Sequence, residues 1–167
     1  RPLILAAASL PDRHGYFSLG TNADYVSSFL GRWPVFLEAN EQMPRTFGRN
    51  SVHVSQVLGW SLVDRPLPEV HPSQPDDVDR ATIQAGIGSI PNAVLASLAD
   101  HRDLGIHTEL MSDGVIDLIE SGVVNGVYKR RRPNRSVTTF ALGTRRLYDF
   151  LHENPAIDFL PVEFVND

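Results

Sequence analysis

The sequence has no cysteine, which excludes a disulfide framework, a thiolate zinc site and a cysteine nucleophile. It also lacks any apolar run near the ~18 residues that a membrane span needs. Basic residues are in the minority: 15 Lys and Arg against 20 Asp and Glu give a formal net charge of −5. That balance argues against a nucleic-acid partner, whose phosphates call for a basic surface. No internal repeat and no low-complexity segment stands out. What remains is an ordinary globular composition, 42% hydrophobic and 21% charged over 167 residues. Such a chain is too apolar to stay disordered and long enough to bury a core.

The opening Arg1-Pro-Leu-Ile-Leu-Ala-Ala-Ala-Ser resembles the start of a signal peptide. The run is short and has no initiator Met, so it reads as a buried strand cut out of a longer protein. Residues 3–8 are that strand, and residues 11–20 are loop, punctuated by Gly15 and Gly20. Asn22 caps a helix over 23–31 whose apolar face is Tyr25, Val26, Phe29 and Leu30. Val35-Phe36-Leu37 is the next strand and runs into a polar stretch, 38–46. A short strand falls at 51–54.

Residues 64–80 hold four prolines, Pro66, Pro68, Pro72 and Pro75, and mark a linker. Residues 1–63 are then the end of one α/β half, and 81–167 the start of another. In the second half, 82–85 is a strand, Gly86-Ile87-Gly88 a tight turn, and 90–101 a helix with Pro91 in its first turn. Leu104 to Thr108 is a strand, followed by a helix to about 121 that Ser112 or Asp113 caps. Val137 to Leu142 is a strand. A last helix starts at Thr144 and stops at Asn154-Pro155. Strands alternating with short helices predict an α/β fold, with open, largely parallel sheets and flanking helices.

Ligands of such sheets bind outside the carboxyl ends of the strands. Three polar segments fall there: Glu38–Thr46, Gly86–Pro91, and His107–Gly114. Gly86-x-Gly88-x-x-Pro91 lets backbone N–H groups approach a phosphate or oxyanion; the same turn without a ligand is the competing reading. Glu109 ends a short apolar strand just before a helix, a costly place for a carboxylate that is neither solvated nor used. His107 and Glu109 share one face of the strand, but no third ligand is evident, so no metal site is expected. Lys129-Arg130-Arg131-Arg132 reads as a solvated loop, with a phosphate contact as the alternative.

Taken together, the strings Ile83-Gln84-Ala85-Gly86-Ile87-Gly88-Ser89-Ile90-Pro91-Asn92-Ala93-Val94 and Leu104-Gly105-Ile106-His107-Thr108-Glu109-Leu110-Met111-Ser112-Asp113-Gly114 resemble the acetyl-CoA hydrolase/transferase family. His14 to Gly20, Asn40 to Thr46 and Phe140 to Thr144, in the same order, resemble it too, as does the tail from Asn154-Pro155 to Asp167.

The resemblance implies a CoA-transferase-like topology of two similar halves, with Glu109 as the catalytic nucleophile. It places Gln84, Gly86 and Gly88 at the CoA or acyl site. By the same resemblance the loop carrying Asn40, Met43, Pro44 and Arg45 faces that site from the other half; because it follows a strand and the basic run has the texture of a solvated loop, it is expected to lie nearer to Glu109 than that run does. Arg45 suits a carboxylate or phosphate partner.

The implied reaction moves CoA between an acyl-CoA, acetyl-CoA above all, and a short carboxylate. Acetyl-CoA hydrolysis on the same scaffold is the alternative, and a non-catalytic CoA- or nucleotide-binding homologue a further one. CoA is the substrate, and no cofactor, metal, nucleic acid or membrane partner is expected. A cytoplasmic homo-oligomer is expected of the full-length protein. Family members are more than twice this length, and the fragment alone is expected to be inactive.

Overall fold

The computed structural model describes residues 2–70 and 95–166. The expected strand at 82–85, the Gly86–Gly88 turn and the start of the 90–101 helix lie outside the described residues, as do Gln84, Gly86 and Gly88.

The first strand, β1 (Ile4–Ala8), pairs in parallel with β3 (Val35–Asn40), which pairs in parallel with β6 (Gly59–Val63). In β3 the alternation is visible residue by residue. Val35, Leu37 and Ala39 are fully buried, while Phe36 and Glu38 face outward, as the two-residue period of a strand requires. β3 extends three residues beyond its apolar run, so Glu38, Ala39 and Asn40 are strand and not loop.

Between β1 and β3 lie β2 (Tyr16–Ser18) and α1 (Tyr25–Phe29). β2 was expected to be loop; it pairs antiparallel with β5 (Ser51–His53). The core here is Phe17, Leu19, Val35, Leu37, Ala39 and Val52, closed by Val26, Phe29 and Leu30.

The other sheet has the order β4-β9-β8-β7. Its strands are β7 (His107–Met111), β8 (Ser136–Ala141), β9 (Ile157–Phe159) and β4 (Phe47–Gly48), all parallel. Helix α2 (Gly114–Glu120) connects β7 to β8, and α3 (Arg145–Leu151) connects β8 to β9. Their apolar faces, Val115, Ile116 and Leu118 with Leu147 and Leu151, pack on Met111, Ala141, Ile157 and Phe159. A short α4 (Val162–Val165) follows β9 and closes a smaller apolar cluster of Val137, Leu160, Phe164 and Val165.

β4 comes from residues before 64 but completes a sheet whose other strands come from residues after 106. Gly48 makes this possible. It has φ of +135°, and a Cβ there would lie 2.1 Å from the Phe159 carbonyl oxygen, so no side chain fits. Asn22 adds a second stitch as an isolated bridge to Phe140.

Two expectations shift. The strand expected at 104–108 begins at His107, because Leu104 is used in a separate bridge to Val124. The helix expected to 101 is helical only at 95–97 within the described part.

Candidate active site

The three-residue shift in β7 places Glu109 inside the strand, not past its end. Side chains of a strand alternate, so Glu109 shares a face with His107; His107 sits opposite Val137 in the register. That face carries the small cluster beneath α4.

The Glu109 carboxylate is exposed. Its one side-chain hydrogen bond among the described residues comes from the Asn166 amide, 3.4 Å from Oε2. No Lys, Arg or His of the described residues forms an ion pair with it. His107, its neighbour on that face, has Nε2 3.1 Å from the Val165 carbonyl. The His107 ring stacks on Phe164 with centroids 6.0 Å apart. Among the described residues, no group of three or more His, Asp or Glu is placed to hold a metal ion.

The carboxyl end of β7 is locked to that of β8. The Asp113 carboxylate accepts from the Thr144 backbone N–H at 2.9 Å and from the Thr144 hydroxyl. A Cβ on Gly143 would lie 2.2 Å from Asp113 Oδ2, so glycine is required for the carboxylate to sit there. The Ser112-Asp113-Gly114 and Leu142-Gly143-Thr144 strings are therefore two halves of one contact.

The basic run is exposed loop at Arg130, Arg131 and Arg132, as expected, yet it also makes structural contacts. Lys129 Nζ donates to the Ile106 carbonyl at 2.6 Å and to the Arg135 carbonyl at 2.7 Å, clamping the chain as it enters β7. Burial pushes the Lys129 ammonium down to about 8, against the opposing pull of Asp158. Arg132 puts Nε 2.7 Å and a terminal nitrogen 2.5 Å from Asp158 Oδ2, and that carboxylate is buried in β9. Arg131 lies over the Phe164 ring, 5.6 Å from its centroid.

The segment from Asn40 to Arg45 makes contacts of its own. Asn40 ends β3 and spends its amide on backbone, accepting from Gln42 and Arg65 N–H groups and donating to the Arg65 carbonyl at 2.9 Å. Met43 and Pro44 line a cleft of about 290 Å³ with Arg145, Tyr148 and His152 of the α3 region. Burial raises the Tyr148 phenol above its ordinary value, and its hydroxyl donates to the Pro68 carbonyl at 2.7 Å.

Arg45 lines a larger cleft of about 660 Å³ at the carboxyl ends of β1 and β3, with Ser9, Asp12, His14 and His152. Its guanidinium bonds the Leu10 carbonyl and lies 3.7 Å from Asp12. The Asp12 carboxyl is held below the usual range, chiefly by the Tyr16 N–H, with the His14 N–H and Arg45 helping. The Arg45 N–H donates to His152 Nδ1 at 3.1 Å.

The two segments differ in the contacts they make. The basic run touches the residue that leads into β7 and, through Phe164, His107. Residues 40–45 instead touch α3 and the end of β1, and Glu109 lines neither of their clefts. Sequence reasoning named Lys129 only within the basic run and Asn166 only within the tail, and missed the contact that each makes. Neither carries a local signal, because each acts on a residue more than twenty positions away.

No protein-family model matches the chain. The succinyl-CoA:acetate/propanoyl-CoA:succinate CoA transferase of Fasciola hepatica is 36% identical over 179 residues, covering 98% of this chain and 37% of that protein. The 4-hydroxybutyrate coenzyme A transferase of Clostridium kluyveri is 38% identical over 177 residues, covering 98% of this chain and 41% of that protein. The crystal structure of a 4-hydroxybutyrate CoA-transferase from Porphyromonas gingivalis superposes with a TM-score of 0.90 at 38% identity, over 99% of this chain and 46% of that one. The chain spans about two fifths of the length of the curated relatives it matches.

Proposed function

This chain is homologous to CoA-transferases along nearly its whole length, and we propose that it is the portion of such an enzyme that carries the nucleophile, Glu109. The observation that carries the reading is the state of that carboxylate. It stands exposed on a parallel strand, with one amide contact at 3.4 Å and no cation of the described residues neutralising it. A carboxylate kept free of ion pairs retains its electron pair for attack.

Glu109 attacks the carbonyl of an acyl-CoA, expelling the CoA thiolate and leaving a mixed acyl–glutamyl anhydride. The thiolate then attacks the glutamyl carbonyl, which releases the first carboxylate and leaves a glutamyl-CoA thioester. The acceptor carboxylate attacks that thioester, giving a new anhydride and free thiolate. Attack of the thiolate on the new acyl carbonyl yields the product acyl-CoA and restores Glu109. The bond energy of the thioester is conserved on the enzyme throughout.

In this reading acetyl-CoA and a short carboxylate are the substrates. Gln84, Gly86 and Gly88 line the CoA or acyl site, and Asn40, Met43, Pro44 and Arg45 approach it from residues 1–63. Residues 64–80 link that half to the one that starts at 81.

The test uses the complete protein and acetyl-CoA without acceptor. Borohydride reduces a thioester and spares a free carboxylate, so it should inactivate the enzyme irreversibly after acetyl-CoA is added, and not before. Mass spectrometry should find the reduced side chain at Glu109. Full activity after that treatment, or CoA found on another residue, would overturn the assignment.

A further inference from the structure

We propose that His107 is a positioning residue for the transfer: its imidazole anchors the turn that carries Asn166, so that the Asn166 carboxamide meets Oε2 of Glu109 and leaves the other oxygen turned toward the thioester. This rests on the transferase reading and adds to it the group that sets the orientation of the nucleophile.

The anchor is a bond to the end of a helix. Val165 is the last residue of α4, and the last carbonyls of a helix have no partner within it. Val165 is only 8% exposed, so leaving its carbonyl unpaired would be costly. His107 Nε2 lies 3.1 Å from that oxygen. A carbonyl only accepts, so the imidazole is the donor. The bond joins the first residue of β7 to the last residue of α4.

Glu109 stands two residues farther along the same face of β7, about 6.6 Å along the strand. Asn166 is the residue after Val165, and its amide reaches Glu109. Two side chains of one strand face thus meet two consecutive residues of the turn, 107 with 165 and 109 with 166. A slip of one residue in the turn would break both contacts together.

Their strengths decide which contact holds and which is held. The Asn166 bond, at 3.4 Å, is longer than the ~2.7–3.2 Å of an ordinary N–H···O bond. The His107 bond falls inside that range. The His107 ring also stacks on Phe164 of the same turn, with planes 25° apart, and Arg131 lies over the Phe164 ring. His107 therefore fixes the turn, and Asn166 is what the turn delivers.

The strand side of this contact is already rigid. Lys129 holds the Ile106 carbonyl at 2.6 Å, one residue before His107. The Glu109 carbonyl accepts from the Thr138 hydroxyl at 3.2 Å. By contrast, α4 is a single turn of four residues, too short to persist without tertiary contacts. With the main chain of Glu109 fixed, its side-chain rotation is what remains to be set. A donor on Oε2 sets it and leaves Oε1 for attack.

The test uses the complete protein. His107→Phe keeps a ring against Phe164 and removes the donor, and His107→Leu removes both. Each should lower kcat about tenfold with KM for acetyl-CoA within about twofold, because binding is untouched and only the attack is misaligned. His107→Gln puts an N–H near the place of Nε2 and should recover kcat to within about threefold. In an Asn166→Ala background, His107→Phe should cost no more than about a further twofold, since the anchor then has nothing to deliver. His107→Gln as slow as His107→Phe would overturn the proposal, and so would losses that multiply in the double variant. Nitrogen-15 labelling of the asparagines gives a reading apart from activity. The carboxamide resonances that vanish in Asn166→Ala should shift in His107→Phe and hold in His107→Gln. Unmoved resonances in His107→Phe would overturn the proposal whether or not Glu109 takes up CoA. Failure to trap glutamyl-CoA in wild type, with resonances that move as stated, would count against the transferase reading alone.

Discussion

Replacing Arg132 by Asn should destabilise the protein by about 2–3 kcal/mol. Asp158 lies in the interior of β9 with its side chain only 5% exposed, and two Arg132 nitrogens converge on its Oδ2. Removing one partner of a buried ion pair leaves an uncompensated charge and costs ~3–5 kcal/mol. Two features reduce that figure here. The Arg132 side chain is itself 46% exposed, so water reaches the site once the guanidinium is gone. The Lys129 ammonium also still attracts Asp158. Asn is the chosen replacement because Arg132 has φ of +55°, a left-handed conformation that Asn tolerates better than most residues. The backbone contribution is then small, and the measured change reports the ion pair.

Urea unfolding of wild type, Arg132→Asn, Asp158→Asn and the double variant makes a complete cycle. The double variant should be less destabilised than the sum of the singles by more than about 1 kcal/mol, because it has no stranded carboxylate. If Arg132→Asn costs under about 0.5 kcal/mol, or the two changes simply add, Asp158 is solvated in solution and the clamp on β9 is not electrostatic.

Lys129 is the chain's only lysine, and its folded value of about 8 lies below its ordinary 10.5. Between those values the unfolded chain holds a proton that the folded chain lacks, so this group makes stability rise with pH across that window. Subtracting the pH–stability curve of Lys129→Met from that of wild type should show this rise, and a flat difference would refute it. Gly143→Ala pushes a methyl group into the Asp113 carboxylate and should lower the unfolding midpoint by the equivalent of about 1–3 kcal/mol. Unchanged melting would show that the Asp113–Thr144 contact yields freely. Glu109→Gln should abolish transfer, since an amide is a poor nucleophile, while leaving the melting temperature within a degree or two of wild type. Retained transfer would remove Glu109 from the mechanism.

Much of this arrangement was readable before any coordinates. β1, β8, α2 and α3 follow from apolar runs and helical spacing, while the role of Glu109 is a proposal that rests on the strings around it. Of the strands that escaped notice, β2, β4 and β9 are short ones made by their partners, and β6 is a five-residue strand next to the Pro-rich stretch. β4 is two residues long, and its parallel pairing to β9 is specified by residues more than a hundred positions away. β9 carries a charge, Asp158, in its middle and looks polar until Arg132 is placed against it. For the same reason the basic run reads as solvent-facing: its acidic partner lies 26 residues downstream. β7 was misplaced because Leu104 and Ile106 look like strand, yet Leu104 bonds to the Val123–Asn125 turn instead.

The pairing of β4 with a strand more than a hundred residues later also limits how this fold can be recombined. A chimera joined anywhere between 64 and 80 would appear to swap two self-contained modules. In fact it would pair a foreign Phe47-Gly48 strand with a native β9, and a foreign Asn22 with a native Phe140. Glycine at 48 and the course of the chain at 158–159 therefore have to be inherited together. A working hybrid would be one whose exchanged block after the linker travels with residues 20–24 and 45–50, and segments far apart in the gene would behave as a single unit of inheritance.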